Sequence, residues 1–143
     1  MLRGLFIGVD RHSSPSINWL SCACRDAKAL HGLFTDTLGG QTALLIDGQA
    51  TRASIERAVQ ELSGASDDDI VVITFSGHGT ETHELVAYDA DLADTATTCI
   101  PLETLGAWLH QIPARNLILV LDCCFSGGIG SKGLEIEACP GSA

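Results

Sequence analysis

Four short apolar runs, none broken by polar alternation, constrain this chain more than any other feature. They are Leu5-Phe6-Ile7-Gly8-Val9, Ala43-Leu44-Leu45-Ile46, Ile70-Val71-Val72-Ile73-Thr74-Phe75 and Asn116-Leu117-Ile118-Leu119-Val120-Leu121. A strand with one wet face alternates apolar and polar residues, so a continuous apolar run marks a strand covered on both faces. Between the runs the period changes to that of a helix. From Ala23 to Leu38 the apolar residues Ala27, Leu30, Leu33 and Phe34 fall three and four apart, and Gly39-Gly40 ends the segment. Thr51 can cap a second helix to about Ser63, with Ile55, Ala58, Val59 and Leu62 inward. A third helix runs from Leu102 to His110 behind Pro101. A polar loop spans Arg11 to Asn18, and an irregular segment to about Thr98 holds a small hairpin near Leu85-Val86-Ala87-Tyr88. Strands alternating with helices predict an α/β domain with a mostly parallel sheet flanked by helices on both faces.

The length of 143 residues fits one such domain. With 45% hydrophobic and 18% charged residues, disorder is excluded for most of the chain. A net charge of -10 makes the surface repel phosphate backbones and anionic membranes, so neither nucleic acid nor membrane is an expected partner. Basic peptides are. No apolar run approaches the roughly 18 residues needed to cross a bilayer. The opening apolar stretch is too short and too quickly broken for a signal peptide, which makes cytoplasmic the expected location. Six cysteines, at 22, 24, 99, 123, 124 and 139, lack the background of a secreted knot, so reduced thiols are expected. A C-x-C and a C-C also fall short of the paired C-x-x-C knuckles of structural zinc.

Ligands of parallel sheets bind beyond the carboxyl ends of the strands. The third strand leads into Ser76-Gly77-His78-Gly79, and the fourth into Asp122-Cys123-Cys124-Phe125-Ser126-Gly127-Gly128. Taken alone, a histidine after a strand is commonly a loop or capping residue, and a cysteine there a small core hydrophobe. Delivered together to one sheet edge they form a nucleophile and base: a thiolate attacks carbonyls, and an imidazole in reach takes or returns the proton. The backbone N–H groups of Gly79 and Cys124 are candidates to hold the resulting oxyanion. Neighbouring strand residues face opposite ways, so only one of Cys123 and Cys124 can face the site.

These two motifs resemble those of the caspase-like cysteine peptidases, closest to the metacaspases and their prokaryotic homologues. Those enzymes carry S-G-H-G after one strand and D-x-C-x-S-G after the next. Their opening F-I-G-I-N and L-x-G-C-x-N-D-A are matched by Phe6-Ile7-Gly8-Val9-Asp10 and, loosely, by Leu20-Ser21-Cys22-Ala23-Cys24-Arg25-Asp26-Ala27. The Q-A-C-x-G signature of caspases proper is absent, although the 46 residues from His78 to Cys124 are close to the approximately 50 of those enzymes. The resemblance implies a three-layer caspase-like fold, His78 as acid–base partner and Cys124 as nucleophile. It places Asp26 and Asp122 in the pocket for the residue before the cut, where paired carboxylates suit Arg or Lys. The competing reading of Asp26 is a first-turn acid favoured by the helix dipole.

The same resemblance implies a zymogen, regulated by processing or a partner, with a role in bacterial or antiviral defence or cell death. No cofactor is expected: many metacaspases use calcium, but Asp89, Asp91 and Asp94 lack a full calcium-loop pattern. Residues 1–128 are read as the catalytic, large-subunit domain and 129–143 as a flexible tail or intersubunit linker. A small-subunit fragment or another protein is then expected to complete the sheet beside Asn116–Leu121. The alternative is a catalytically inactive caspase-fold module that binds peptides. A flavodoxin-like domain would need a Gly-rich phosphate loop after the first strand, where Asp10-Arg11-His12-Ser13-Ser14 stands instead.

Overall fold

Leu2–Gly8 forms β1, the strand between the two others that flank it, in the computed structural model, which describes residues 1–123. It is followed by α1 (Ala23–Leu38), β2 (Gln41–Ile46), α2 (Arg52–Glu61) and β3 (Ile70–Ser76). Then come β4 (Glu84–Leu85), α3 (Thr95–Thr98), β5 (Ile100–Pro101), α4 (Leu102–Leu109) and β6 (Asn116–Asp122). The main sheet has the order β2-β1-β3-β6, and every pairing in it is parallel. A separate antiparallel pair joins β4 to β5.

Strand parity assigns the two faces of the sheet. Leu5, Ile7, Val71, Ile73, Phe75, Leu117, Leu119 and Leu121, all odd-numbered, pack with Ile55 and Val59 of α2 and Leu105 of α4. Leu2, Phe6 and Val72, all even-numbered, pack with Leu30 and Phe34 of α1. With helices on both faces the arrangement is the three-layer α/β fold expected, and the unbroken apolar runs follow from it: β1 and β3 have no wet face to mark.

Two glycines let the layers close. A Cβ on Gly8 would lie 2.6 Å from the carbonyl oxygen of Ala23 and 2.8 Å from the Ala27 Cβ, so the start of α1 crosses the end of β1 at backbone contact. Gly40, at φ +89, turns the chain from α1 into β2 with its Cα facing the Leu2 carbonyl.

Leu33 departs from expectation, being 62% exposed. The stripe of α1 that meets the sheet is Ala23, Ala27, Leu30 and Phe34, which already completes the i, i+4, i+7, i+11 pattern. Leu33 stands about 100° round from Phe34, beyond that stripe. The expected hairpin lies slightly upstream of Leu85–Tyr88: Gly79 bridges antiparallel to Leu85, and Leu85 pairs on with Ile100. Thr51 does cap α2, its side chain accepting from the Ser54 N–H.

The outer strand β6 alternates between half-buried odd residues and exposed even ones, leaving Ile118 46% and Val120 40% exposed on the α1 side. No helix among the described residues is long and apolar enough to cross a membrane.

Candidate active site

The carboxyl ends of β3 and β6 lie side by side. Ser76 is in register with Asp122, and the Gly77 N–H donates to the Asp122 carbonyl at 3.2 Å. His78 follows at once. Its own carbonyl accepts from the Val86 N–H at 3.0 Å, so the S-G-H-G segment is held by the sheet on one side and by the 84–90 segment on the other.

The ring of His78 is anchored as well. Its Nε2 lies 2.7 Å from the carbonyl oxygen of Asn18. A carbonyl only accepts, so Nε2 carries the proton and Nδ1 of the neutral ring keeps its lone pair. Burial lowers the His78 pKa below its ordinary value, and the Asn18 carbonyl partly opposes that shift. Beside the His78 ring stands that of His12, centroids 5.6 Å apart and planes 41° from parallel. His12 is buried, and burial first, then the charge of His78, lowers its pKa to about 4.

Gly79 takes part in its bridge to Leu85 as a pair whose bonds are made by the flanking residues: the Thr80 N–H donates to Glu84 and the Val86 N–H to His78. In such a pair the N–H of the central residue points away from the partner segment. The Gly79 N–H is therefore turned outward from that pairing, as a donor in an oxyanion hole must be.

Asp26 and Asp122 are brought together. Asp122 sits at an even position of β6, on the face where α1 lies, and Asp26 occupies the first turn of α1. The pKa of Asp26 is raised, by burial first and then by the charge of Asp122, with a hydrogen bond between the two carboxyls adding and Arg25 opposing. The helix dipole would have lowered it, so the dipole does not govern this acid. Two further acids frame the pair. Asp10 accepts from the N–H groups of Ala23 and Cys24 at 2.8 and 3.2 Å, capping α1 from thirteen residues away. Asp47, in the left-handed region at φ 46, accepts from the N–H groups of Asp10 and Arg11 and from the Cys24 thiol.

The cysteines divide. Cys123, at the next odd position after Leu121, packs half-buried against the α2 and α4 side of the core. Cys124, with the tail at 129–143, lies outside the described residues. Cys24 and Cys99 are buried free thiols whose pKa values burial pushes up to about 12 and about 11. Of the acids weighed for calcium, Asp89 accepts from the Arg52 N–H, Asp91 from the Ala93 N–H and Asp94 from the Thr97 hydroxyl. No group of three metal-ligating side chains lies among the described residues.

A family model described as the caspase domain matches residues 4–142. The chain belongs to the caspase-domain family. The three-layer fold described above is the fold of that family. Among solved structures it is similar to protein GSU0716 from Geobacter sulfurreducens, at a TM-score of 0.72 and 19% identity. The match covers 88% of this chain and 51% of that one, so the chain spans about half the length of this structural relative. No curated protein matches it.

Within this caspase-domain chain, sequence reasoning missed His12, Asn18, Asp10 and Asp47. Asn18 acts through its carbonyl, which every residue type offers, so no sequence signal marks it. His12 carries no motif either. Asp10 had a faint signal, an acid ending the first strand just before the first helix, where a remote cap can form.

Proposed function

We propose that this chain is the large-subunit portion of a cysteine endopeptidase in which Cys124 is the nucleophile and His78 the acid–base partner, cutting after Arg or Lys. The observation that carries the reading is the seating of His78. Its Nε2–H is committed to Asn18, so Nδ1 is left as the base, at the end of a strand paired with β6 in unbroken register. That register has an offset of 46, as Ser76 opposite Asp122 shows, and the same 46 residues separate His78 from Cys124.

The chemistry follows. The thiol of Cys124 loses its proton to His78 Nδ1, and the thiolate attacks the scissile carbonyl carbon. The oxyanion is received by the N–H groups of Gly79 and Cys124. His78 then donates the proton to the departing amine, leaving a thioester. Water, deprotonated by His78, attacks the thioester, and the carboxylic acid product leaves as the thiol is restored.

Asp26 and Asp122 supply the specificity. Two carboxyls that repel one another, with one holding a raised pKa, form a site that gains by receiving a guanidinium or ammonium. The net charge of -10 adds long-range attraction for basic substrates. The exposed apolar residues Ile118 and Val120 on the outer strand support a second segment, a small subunit or another protein, that completes the sheet. The domain boundary near 128, activation by processing or by that partner, and a role in bacterial defence or cell death rest on the family resemblance.

The test is an Arg-directed acyloxymethyl-ketone probe. Labelling mapped by mass spectrometry to Cys124, and abolished in His78→Ala, is the expected result. A preparation with its completing segment present that excludes the probe, or carries it on another cysteine, overturns the reading.

A further inference from the structure

The loop from Arg11 to Asn18 grips the His78 ring at two places. Asn18 takes the edge, through Nε2 at 2.7 Å, and His12 packs beside the ring, with ring centroids 5.6 Å apart and planes 41° from parallel. His12 is only 7% exposed, and neither of its ring nitrogens has a partner in hydrogen-bonding geometry among the described residues. The Val86 backbone approaches closely enough to be felt by the ring, but not in the alignment of a bond. Packing therefore holds this imidazole in place.

The loop that carries both residues is itself fixed. Ile17 is 2% exposed and forms a small core with Val86, Ala90 and Cys99. The Ser13 N–H donates to the Tyr88 carbonyl at 3.0 Å, and the Leu20 N–H to the Asp10 carbonyl at 2.9 Å.

We propose that His12 is a positioning residue of this site, a neutral imidazole packed against the His78 ring while Asn18 holds its edge. The inference deepens the peptidase reading and rests on it. Among the described residues, the titratable groups close enough to act on His12 electrostatically are His78, Asp47 and Asp10. A proton on His78 disfavours one on His12, the two carboxylates favour it, and burial outweighs them, so His12 stays neutral when His78 is charged. A neutral wall keeps water off the base and so keeps its protonated form costly. Without the wall, His78 becomes easier to protonate.

The experiment is isotope-edited histidine NMR on the intact protein, with the pH profile of kcat/KM beside it, for His12→Ala and His12→Phe. His12→Ala should move the His78 titration upward by about one unit. The acid limb of the profile should follow, with kcat falling more than KM rises. His12→Phe refills the space and should titrate close to the parent. A folded His12→Ala protein with unmoved His78 titration overturns the proposal. So does a His12→Phe protein no closer to the parent than His12→Ala. The NMR readout needs no turnover, so an upward shift in a protein that cuts nothing even with its completing segment present would support the clamp while refuting the peptidase reading.

Discussion

The Nε2 atom of His78 donates to the main-chain carbonyl of Asn18 at 2.7 Å across a separation of 60 residues. Because the acceptor belongs to the backbone, the side chain of residue 18 is replaceable. Asn18→Ala is expected to leave kcat/KM near the parent value, whereas His78→Ala should lower it by about 10²-fold or more. Nitrogen-15 NMR of the neutral ring should show the Nε2–H tautomer, and an Nδ1–H ring would reverse the assignment of the base.

The two adjacent cysteines should separate cleanly. Cys123 packs against the core on the α2 and α4 side, so Cys123→Ala should keep most of the turnover and cost about 1 kcal/mol in denaturant unfolding. Cys124→Ala should abolish turnover. Loss of activity in the first variant and its retention in the second would reassign the nucleophile.

The acid pair sets a prediction for substrate choice and for pH. Asp26→Asn and Asp122→Asn should each reduce kcat/KM on Arg reporter peptides by about tenfold or more, since each removes a charge-assisted contact. Asp26 has a raised pKa, so its carboxyl protonates sooner than an ordinary one as the pH falls. The acid-side loss of activity on Arg peptides should therefore begin above the usual carboxylate range, and should move down in Asp122→Asn. Faster turnover of Asp reporters than of Arg reporters would exclude the basic pocket.

Folding stability should carry the mark of His12. Its pKa falls from 6.5 in the unfolded chain to about 4 in the folded one, so below pH 6.5 the unfolded state binds the extra proton. Stability is then full above pH 6.5 and declines as the pH drops toward 4, by a total on the order of 3 kcal/mol. His12→Phe should flatten that part of the profile in urea titrations at stepped pH. An unchanged slope would show that His12 titrates normally.

The outer strand offers a test of assembly. Ile118 and Val120 are large and apolar, and they stay exposed on the α1 side of the sheet, outside the cluster that α1 covers. Ile118→Asp and Val120→Asp should make the isolated chain less prone to associate and should prevent its assembly with a completing segment, as read by size-exclusion chromatography. Assembly that survives both changes would place the partner elsewhere.

Much of this molecule was legible beforehand because its layers write themselves into local periodicity. Residues 2–8 and 70–76 are covered by helices on both faces, so their runs are unbroken, and α1 runs from Ala23 to Leu38 as spacing and the Gly39-Gly40 stop require. Where the reading slipped, at Leu33, several apolar residues competed for a stripe that four others already fill.

The sequence by itself determined the parallel α/β layers, the family and the candidates His78, Cys124, Asp26 and Asp122, because side-chain identity and short-range spacing are properties of the chain before it folds. Only the tertiary structure decided that Asp26 and Asp122 meet, that Asp10 caps α1 and that Asn18 and His12 grip the His78 ring. Those contacts depend on strand register and on where a loop's carbonyls and rings come to rest, and neither is encoded by the type of any single residue.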